Sequence, residues 1–358
     1  MKKHLCFEAC ATMCILAAML LVAGCGGSQS PIGAPDAVPQ SHDAPSLMKG
    51  AAPPHVWTPS LAVPHGWMSS AAMQEDLVYV GTTENPNAVF VYDYKTGAMV
   101  GELGDFNFYE PGGMCVDKTG DVWITSTDTG QIVEYAHGGV TPLQTLNTDQ
   151  NPVGCSVAPN GDLAVTNYMA THRFSTIQVW KQASGTPTTY ALPQACYFMF
   201  PPGYDNKGNL YIESQNNVCS LPAGGAGLKA ISFDRKINYP IGVMWDGQYI
   251  TLADQKYNGG STPAIYRAVR TASGGLKAVG VTLLQYAPSE TDSGAQPFFV
   301  GKKNTPANNQ RSKAFIDYYS SYSKSWVEYY HYESGVPFRS FPSYYNTSGQ
   351  AVSLATQH

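Results

Sequence analysis

The sequence predicts an all-β fold, a ring of six four-stranded antiparallel blades. Three observations predict it. An apolar strand, a polar Gly-containing turn and a second strand of β-branched and aromatic residues recur along the chain. Each copy is followed by a third strand, a tight Gly turn and a fourth strand. Charged residues make up only 13% of the 358, while Tyr (23), Gly (35) and Pro (25) abound, a mix suited to short strands and turns rather than helices.

In chain order, residues 1–24 read as an export signal. "MKKH" is a short basic start, and Ala11 to Ala23 is an apolar run too short for a comfortable membrane span. It ends in Val22-Ala23-Gly24-Cys25, which resembles the bacterial lipobox. That resemblance implies cleavage before Cys25, acylation of its thiol (a palmitate-type anchor) and extracytoplasmic attachment to a membrane. Gly26 after the cysteine implies the outer membrane where the host has one. Each buried acyl methylene contributes about 0.8 kcal/mol. Residues 25–60, rich in Pro, Ser, Gly and Ala without apolar period, read as a flexible tether. The ring takes residues 61–358.

The first and second strands of the repeat read "PGGMCVDKTGDVWIT" at 111, "PVGCSVAPNGDLAVT" at 152, "PPGYDNKGNLYIE" at 201 and "PIGVMWDGQYITLA" at 240, with a degenerate copy from 296. Third strands are "AVFVYD", "QIVEYA", "TIQVWK", "NVCSLP", "AIYRAV" and "WVEYYH". The turns that follow carry Gly because hairpins require positive φ. Fourth strands are "AMVGEL", "TPLQTL", "PTTYAL", "LKAISF", "VGVTLL" and "VPFRSF". A lone meander exposes both faces, whereas six packed around an axis bury them. Blade one has two candidates for its first strand: "PHGWMSSAA" at 64 and "SGQAVSLA" at 348–355. The second is preferred, because Gly349 and Val352 match Gly113/Val116 and Gly154/Val157. It would close the ring with the C-terminal strand.

This unit resembles the NHL-type repeat, and the whole is similar to six-bladed β-propellers of the NHL and SMP-30/gluconolactonase-like group and, more loosely, to streptogramin lyases. The repeat implies the fold; propellers host many unrelated activities.

The chemistry is sparser. Just after the second strand stand Thr82, Ser126, Asn167, Ser214, Asp254 and Tyr318. In SMP-30-like enzymes a Glu, an Asn and an Asp near the axis hold a divalent metal, and the resemblance implies Asn167 and Asp254 as weak candidates for a Ca or Mg site. Glu213 is one residue out of register and would face the other side of its strand. Loop capping by Asn and Asp is the plainer reading. No catalytic residue is assigned. His172, in the long loop of the third unit, is the one histidine to consider for the general base that a streptogramin lyase would require. A surface-loop histidine is the plainer reading, and no nucleophile elbow or phosphate loop occurs. Asp117, Asp205 and Asp246 recur in the first turn and read as structural.

Tyr318, Tyr319, Tyr322, Tyr329, Tyr330 and Tyr332 crowd the last blade, as a binding patch for glycan or protein or as packing between blades. Of the cysteines, Cys115, Cys155, Cys196 and Cys219 remain after the signal and Cys25. Three pairings or four free thiols are open; Cys196 with Cys219 is preferred if a pair forms. Net charge is −5 with no basic run, which excludes nucleic acid as an expected partner. The sequence thus predicts a membrane-anchored binding or scaffold module for an unknown protein or glycan ligand. The alternative is a metal-dependent hydrolase or lyase of the SMP-30 or streptogramin-lyase kind.

Overall fold

A computed structural model describes residues 66–82, 88–103, 111–168, 175–196, 200–214, 217–285, 298–300, 314–321, 324–343 and 347–355. For 298–300, 314–321, 324–325 and 347–348 it describes the backbone alone. All fall within one compact unit, Ala51–His358. The signal, Cys25, the tether, His172 and Tyr322 lie outside the described residues.

Blade one holds β1 (Trp67–Met68), β2 (Leu77–Thr82), β3 (Ala88–Asp93) and β4 (Met99–Leu103). Blade two holds β5 (Pro111–Val116), β6 (Val122–Ser126), β7 (Gln131–Tyr135) and β8 (Pro142–Asn147). In blade three are β9 (Asn151–Val157), β10 (Leu163–Tyr168), β11 (Thr176–Trp180) and β12 (Thr188–Ala191). Blade four comprises β13 (Gly203–Tyr204), β14 (Leu210–Glu213), β15 (Val218–Leu221) and β16 (Lys229–Ile231). Blade five comprises β17 (Pro240–Trp245), β18 (Ile250–Asp254), β19 (Ala264–Arg270) and β20 (Leu276–Leu283). Blade six is β21 (Phe298–Val300), β22 (Ala314–Ser321), β23 (Lys324–His331) and β24 (Val336–Ser343), and the chain ends in β25 (Thr347–Ser353). Five sheets are four-stranded meanders, and the sixth runs β1-β4-β3-β2-β25. First strands adjoin one another around a closed circuit, β5 to β9, β13, β17, β21, β25 and back to β5. The fold is a six-bladed β-propeller.

The C-terminal strand closes it. β25 pairs antiparallel with β2 from Leu77↔Ser353 to Thr82↔Thr347. The competing stretch near residue 64 has a different place: Trp67 and Met68 pair with Glu102 and Gly101 on the outer side of β4, as a fifth strand. A clasp locks the closure. Ser353 Oγ lies 2.6 Å from His137 Nδ1, and His137 Nε2 lies 3.0 Å from the Glu75 carbonyl. Ser353 also donates to the Gly120 carbonyl, and the Ala355 amide donates to Asp76 at 2.9 Å.

The sequence pattern follows from this architecture. Second strands such as Leu77–Thr82 and Val122–Ser126 are buried at every position, because neighbouring blades cover both faces. Apolar clusters fill the seams: Tyr79, Met114, Ile124 and Tyr135 between blades one and two, and Trp123, Leu163 and Trp180 between two and three. Crowding of the first strands explains the recurring Pro-x-Gly: a Cβ on Gly154 would meet Pro201 Cγ at 2.6 Å, and one on Gly349 would collide with the Gly112 carbonyl. Cys115 and Cys155 join the first strands of blades two and three as a disulfide, with Cα atoms 5.6 Å apart. Cys196 and Cys219 form a second, at 6.2 Å.

The recurrent turn aspartates cap their own turns. Asp205 Oδ1 accepts from the Lys207 and Asn209 amides at 2.9 Å, and Asp246 Oδ1 accepts from Gln248 and Tyr249.

Candidate functional site

In a four-stranded meander the starts of first strands and the ends of second strands share one face of the ring, here called the mouth. Asn167 and Asp254 stand there, one strand out from the axis, at the ends of β10 and β18. Both are fully buried. They share no contact; each is held within its own blade.

Asp254 is a loop cap. Its Oδ1 accepts from the Tyr239 amide (2.8 Å) and the Lys256 amide (3.0 Å), and its Oδ2 from the Asn238 amide (3.1 Å) and side chain (3.4 Å). These donors tie the segment entering β17 to the segment leaving β18. Asn167 donates from Nδ2 to Gln178 Oε1 at 2.9 Å, while its buried Oδ1 accepts no hydrogen bond among the described residues.

Between them in ring order, Glu213 is also fully buried. Its carboxyl lies between blades four and five, where Oε1 accepts from the Ile241 and Gly242 amides at 2.5 and 2.8 Å. Oε2 makes no hydrogen bond among the described residues, and the Ala253 amide exerts a weaker pull on the carboxyl. Burial pushes this carboxyl well above its ordinary range; the Gly242 and Ile241 amides oppose that, and the nearby Asp254 charge adds to it. As a cation site the trio offers two open oxygens, Asn167 Oδ1 and Glu213 Oε2, fewer than the six or more a hard cation takes. Of the other positions in this series, Thr82, Ser126 and Ser214 are buried, and Ser214 donates to the Ala195 carbonyl at 3.2 Å. The Tyr318 side chain lies outside the described residues.

Above Asp254 the mouth carries an aromatic ledge that sequence reasoning did not single out. Tyr239 is 44% exposed. Lys256 Nζ lies 5.4 Å from its ring centroid and the Phe200 ring 6.4 Å away. The cap that fixes the Tyr239 and Lys256 backbones therefore sets the ledge. The signal for it was present: Asp254 is an acceptor facing an aromatic in the Asn-Tyr-Pro entry to a first strand.

The Tyr-rich blade requires a correction. Tyr329, Tyr330 and Tyr332 are buried, so these three are not an exposed patch. Tyr329 stacks edge-on with Tyr94 at 4.9 Å and donates its hydroxyl to the Tyr94 carbonyl at 2.9 Å. Tyr332 donates to Asp246 of blade five. Their apolar rings fill the seams on either side of blade six, where burial stabilises more than exposure. Tyr318 and Tyr319 have side chains outside the described residues, as Tyr322 does entirely.

On the opposite face the carboxylates of Asp117, Asp121 and Glu134 come within 4.8 Å of one another. Asp117 Oδ1 accepts from the Thr119 and Asp121 amides at 2.8 and 3.0 Å, which makes it another turn cap.

No protein-family model matches the chain, and no curated protein matches its sequence. Solved structures do. The Cps50 (Swd1) β-propeller domain of Myceliophteria thermophila is 10% identical, over 77% of this chain and 85% of that one, with a TM-score of 0.51. A protein of unknown function from Bacteroides caccae is 11% identical, over 78% and 99%, with a TM-score of 0.50. A streptogramin B lyase is 15% identical over 66% and 68%, with a TM-score of 0.42. The likeness to the Cps50 (Swd1) domain supports the fold, a β-propeller.

Proposed function

We propose that this chain is a membrane-anchored, extracytoplasmic propeller that binds a protein or glycan ligand at the mouth, on blades four and five. The observation that carries the reading is the exposed Tyr239 with Lys256 over its ring, fixed from below by the four donors on Asp254. An exposed, preorganised aromatic loses little entropy on binding and offers a flat apolar face with a polar tip. The lipobox-like Val22–Cys25 supports the anchor, and two disulfides suit an oxidising compartment.

A second reading, a metal-dependent hydrolase or lyase, draws on the two open buried oxygens, Asn167 Oδ1 and Glu213 Oε2. A bound Ca2+ or Mg2+ would supply Lewis-acid activation of water or substrate. It ranks second because Asp254 would have to release its loop to join them. Melting the full chain in mild detergent with millimolar Ca2+, Mg2+ or Mn2+ separates the two, since a ligand of the native state alone raises stability. No shift is expected. A rise in Tm that disappears in Asn167→Ala would transfer the assignment to the enzyme.

A further inference from the structure

On the face opposite the mouth, a hydrogen bond crosses each of the six seams. The Gly138 amide donates to the Tyr79 hydroxyl at 2.9 Å between blades one and two, and Gln144 Nε2 to the Ala183 carbonyl at 3.2 Å between two and three. Arg270 Nη1 donates to the Tyr211 hydroxyl at 3.3 Å between five and four, and Tyr332 to Asp246 between six and five. Tyr329 donates to the Tyr94 carbonyl between six and one.

At the seam of blades three and four the bond is an inner one, from the Tyr204 amide of β13 to Ser156 Oγ of β9 at 3.1 Å. This seam also has tyrosines, Tyr190 from β12 and Tyr204 from β13, yet among the described residues neither hydroxyl makes a hydrogen bond across it. Instead a cleft of about 310 Å³ opens, lined by Asp162, Lys181, Tyr190, Tyr204, Asn206 and Lys207 and walled by the turn at 222–225. Burial raises the Tyr204 phenol, and the charges of Asp162 and Tyr190 add to the effect, so the three polar groups converge. Asp162 is itself fixed by the Gln182 amide at 2.9 Å and Asn160 Nδ2 at 3.0 Å.

We infer that this cleft binds a single acidic sugar residue. A pyranose presents a C–H face that packs on aromatic rings, and vicinal hydroxyls that each need a donor and an acceptor. Two phenols, a carboxylate and an amide supply both. Lys181 and Lys207, both exposed at the rim, suit a carboxylate or sulfate through charge-assisted hydrogen bonds. The volume sits at the small end of ligand clefts, which span about 300–1,000 Å³.

The test is calorimetric titration of the full chain, in mild detergent, with D-glucuronate, and with D-glucose and acetate as controls. Glucuronate is expected to bind in the millimolar range, and each control at least about tenfold more weakly, a difference of about 1.4 kcal/mol. Lys207→Gln on the exposed turn and Tyr204→Phe, which keeps the ring, should each weaken glucuronate severalfold while melting like the parent. Acetate binding as tightly as glucuronate, or no glucuronate binding by a chain that melts normally, would overturn the inference.

Discussion

The ring closure can be tested by a double-mutant cycle on its clasp. His137 and Ser353 are 216 residues apart in sequence, yet Nδ1 and Oγ lie 2.6 Å apart, and both residues are buried. Ser353→Ala removes the hydroxyl that also serves the Gly120 carbonyl. It therefore leaves two buried groups short of a partner, at about 1–3 kcal/mol each. His137→Ala releases Ser353 and the Glu75 carbonyl together. We expect each single variant to lose about 2–4 kcal/mol, and the pair to lose less than the sum by about 1–2 kcal/mol. In a chain of this size each kcal/mol corresponds to about 2–4 °C in Tm. Urea unfolding followed by Trp fluorescence measures all four proteins. Coupling below about 0.5 kcal/mol, the scatter of independent sites, would refute closure by the C-terminal strand.

Three further predictions concern the buried carboxyl, the staple and the anchor. Glu213 holds its proton in the fold to a higher pH than its ordinary 4.5, so the folded state binds more protons than the unfolded one above that pH, and stability falls as pH rises through the window. Glu213→Gln keeps an oxygen for the Ile241 and Gly242 amides, and its Tm advantage should grow from pH 4 to pH 8; parallel curves would refute the shift. Replacing both Cys115 and Cys155 by Ser should cost about 2–4 kcal/mol, seen as a lower Tm under non-reducing conditions, and an unchanged Tm would remove the staple. Cys25→Ala should move the protein from the membrane pellet to the soluble fraction, and a variant that still pellets like the parent would disprove lipid attachment.

The fold was legible because its causes are local and repeated. Alternation, Gly turns and the crowding that demands Gly154 each leave a mark at fixed spacing. The choice for the first strand of blade one was legible too, since Gly349 answers the same crowding. The site was harder to read. Whether a tyrosine faces a seam or solvent depends on the neighbouring blade, so Tyr329, Tyr330 and Tyr332 could be counted but not placed. Asn167 and Asp254 share a repeat position, yet one leaves an oxygen open and the other spends both on a cap, a difference set by the loops around them. The 41-residue repeat between the Pro-x-Gly starts at 111 and 152 brings Cys115 and Cys155 onto adjoining strands, but they sit one position out of register, so spacing did not choose that pair.

Because β25 is the inner partner of β2, the first blade is completed only after the other five have been synthesised. Until β25 emerges, Leu77–Thr82 presents an unpaired inner edge, a template for pairing with other chains. A chain interrupted before residue 347 is therefore not a smaller propeller but an open sheet stack prone to aggregate. The same delay keeps the ribbon unlocked throughout synthesis, so that threading through a narrow pore would precede folding rather than work against it.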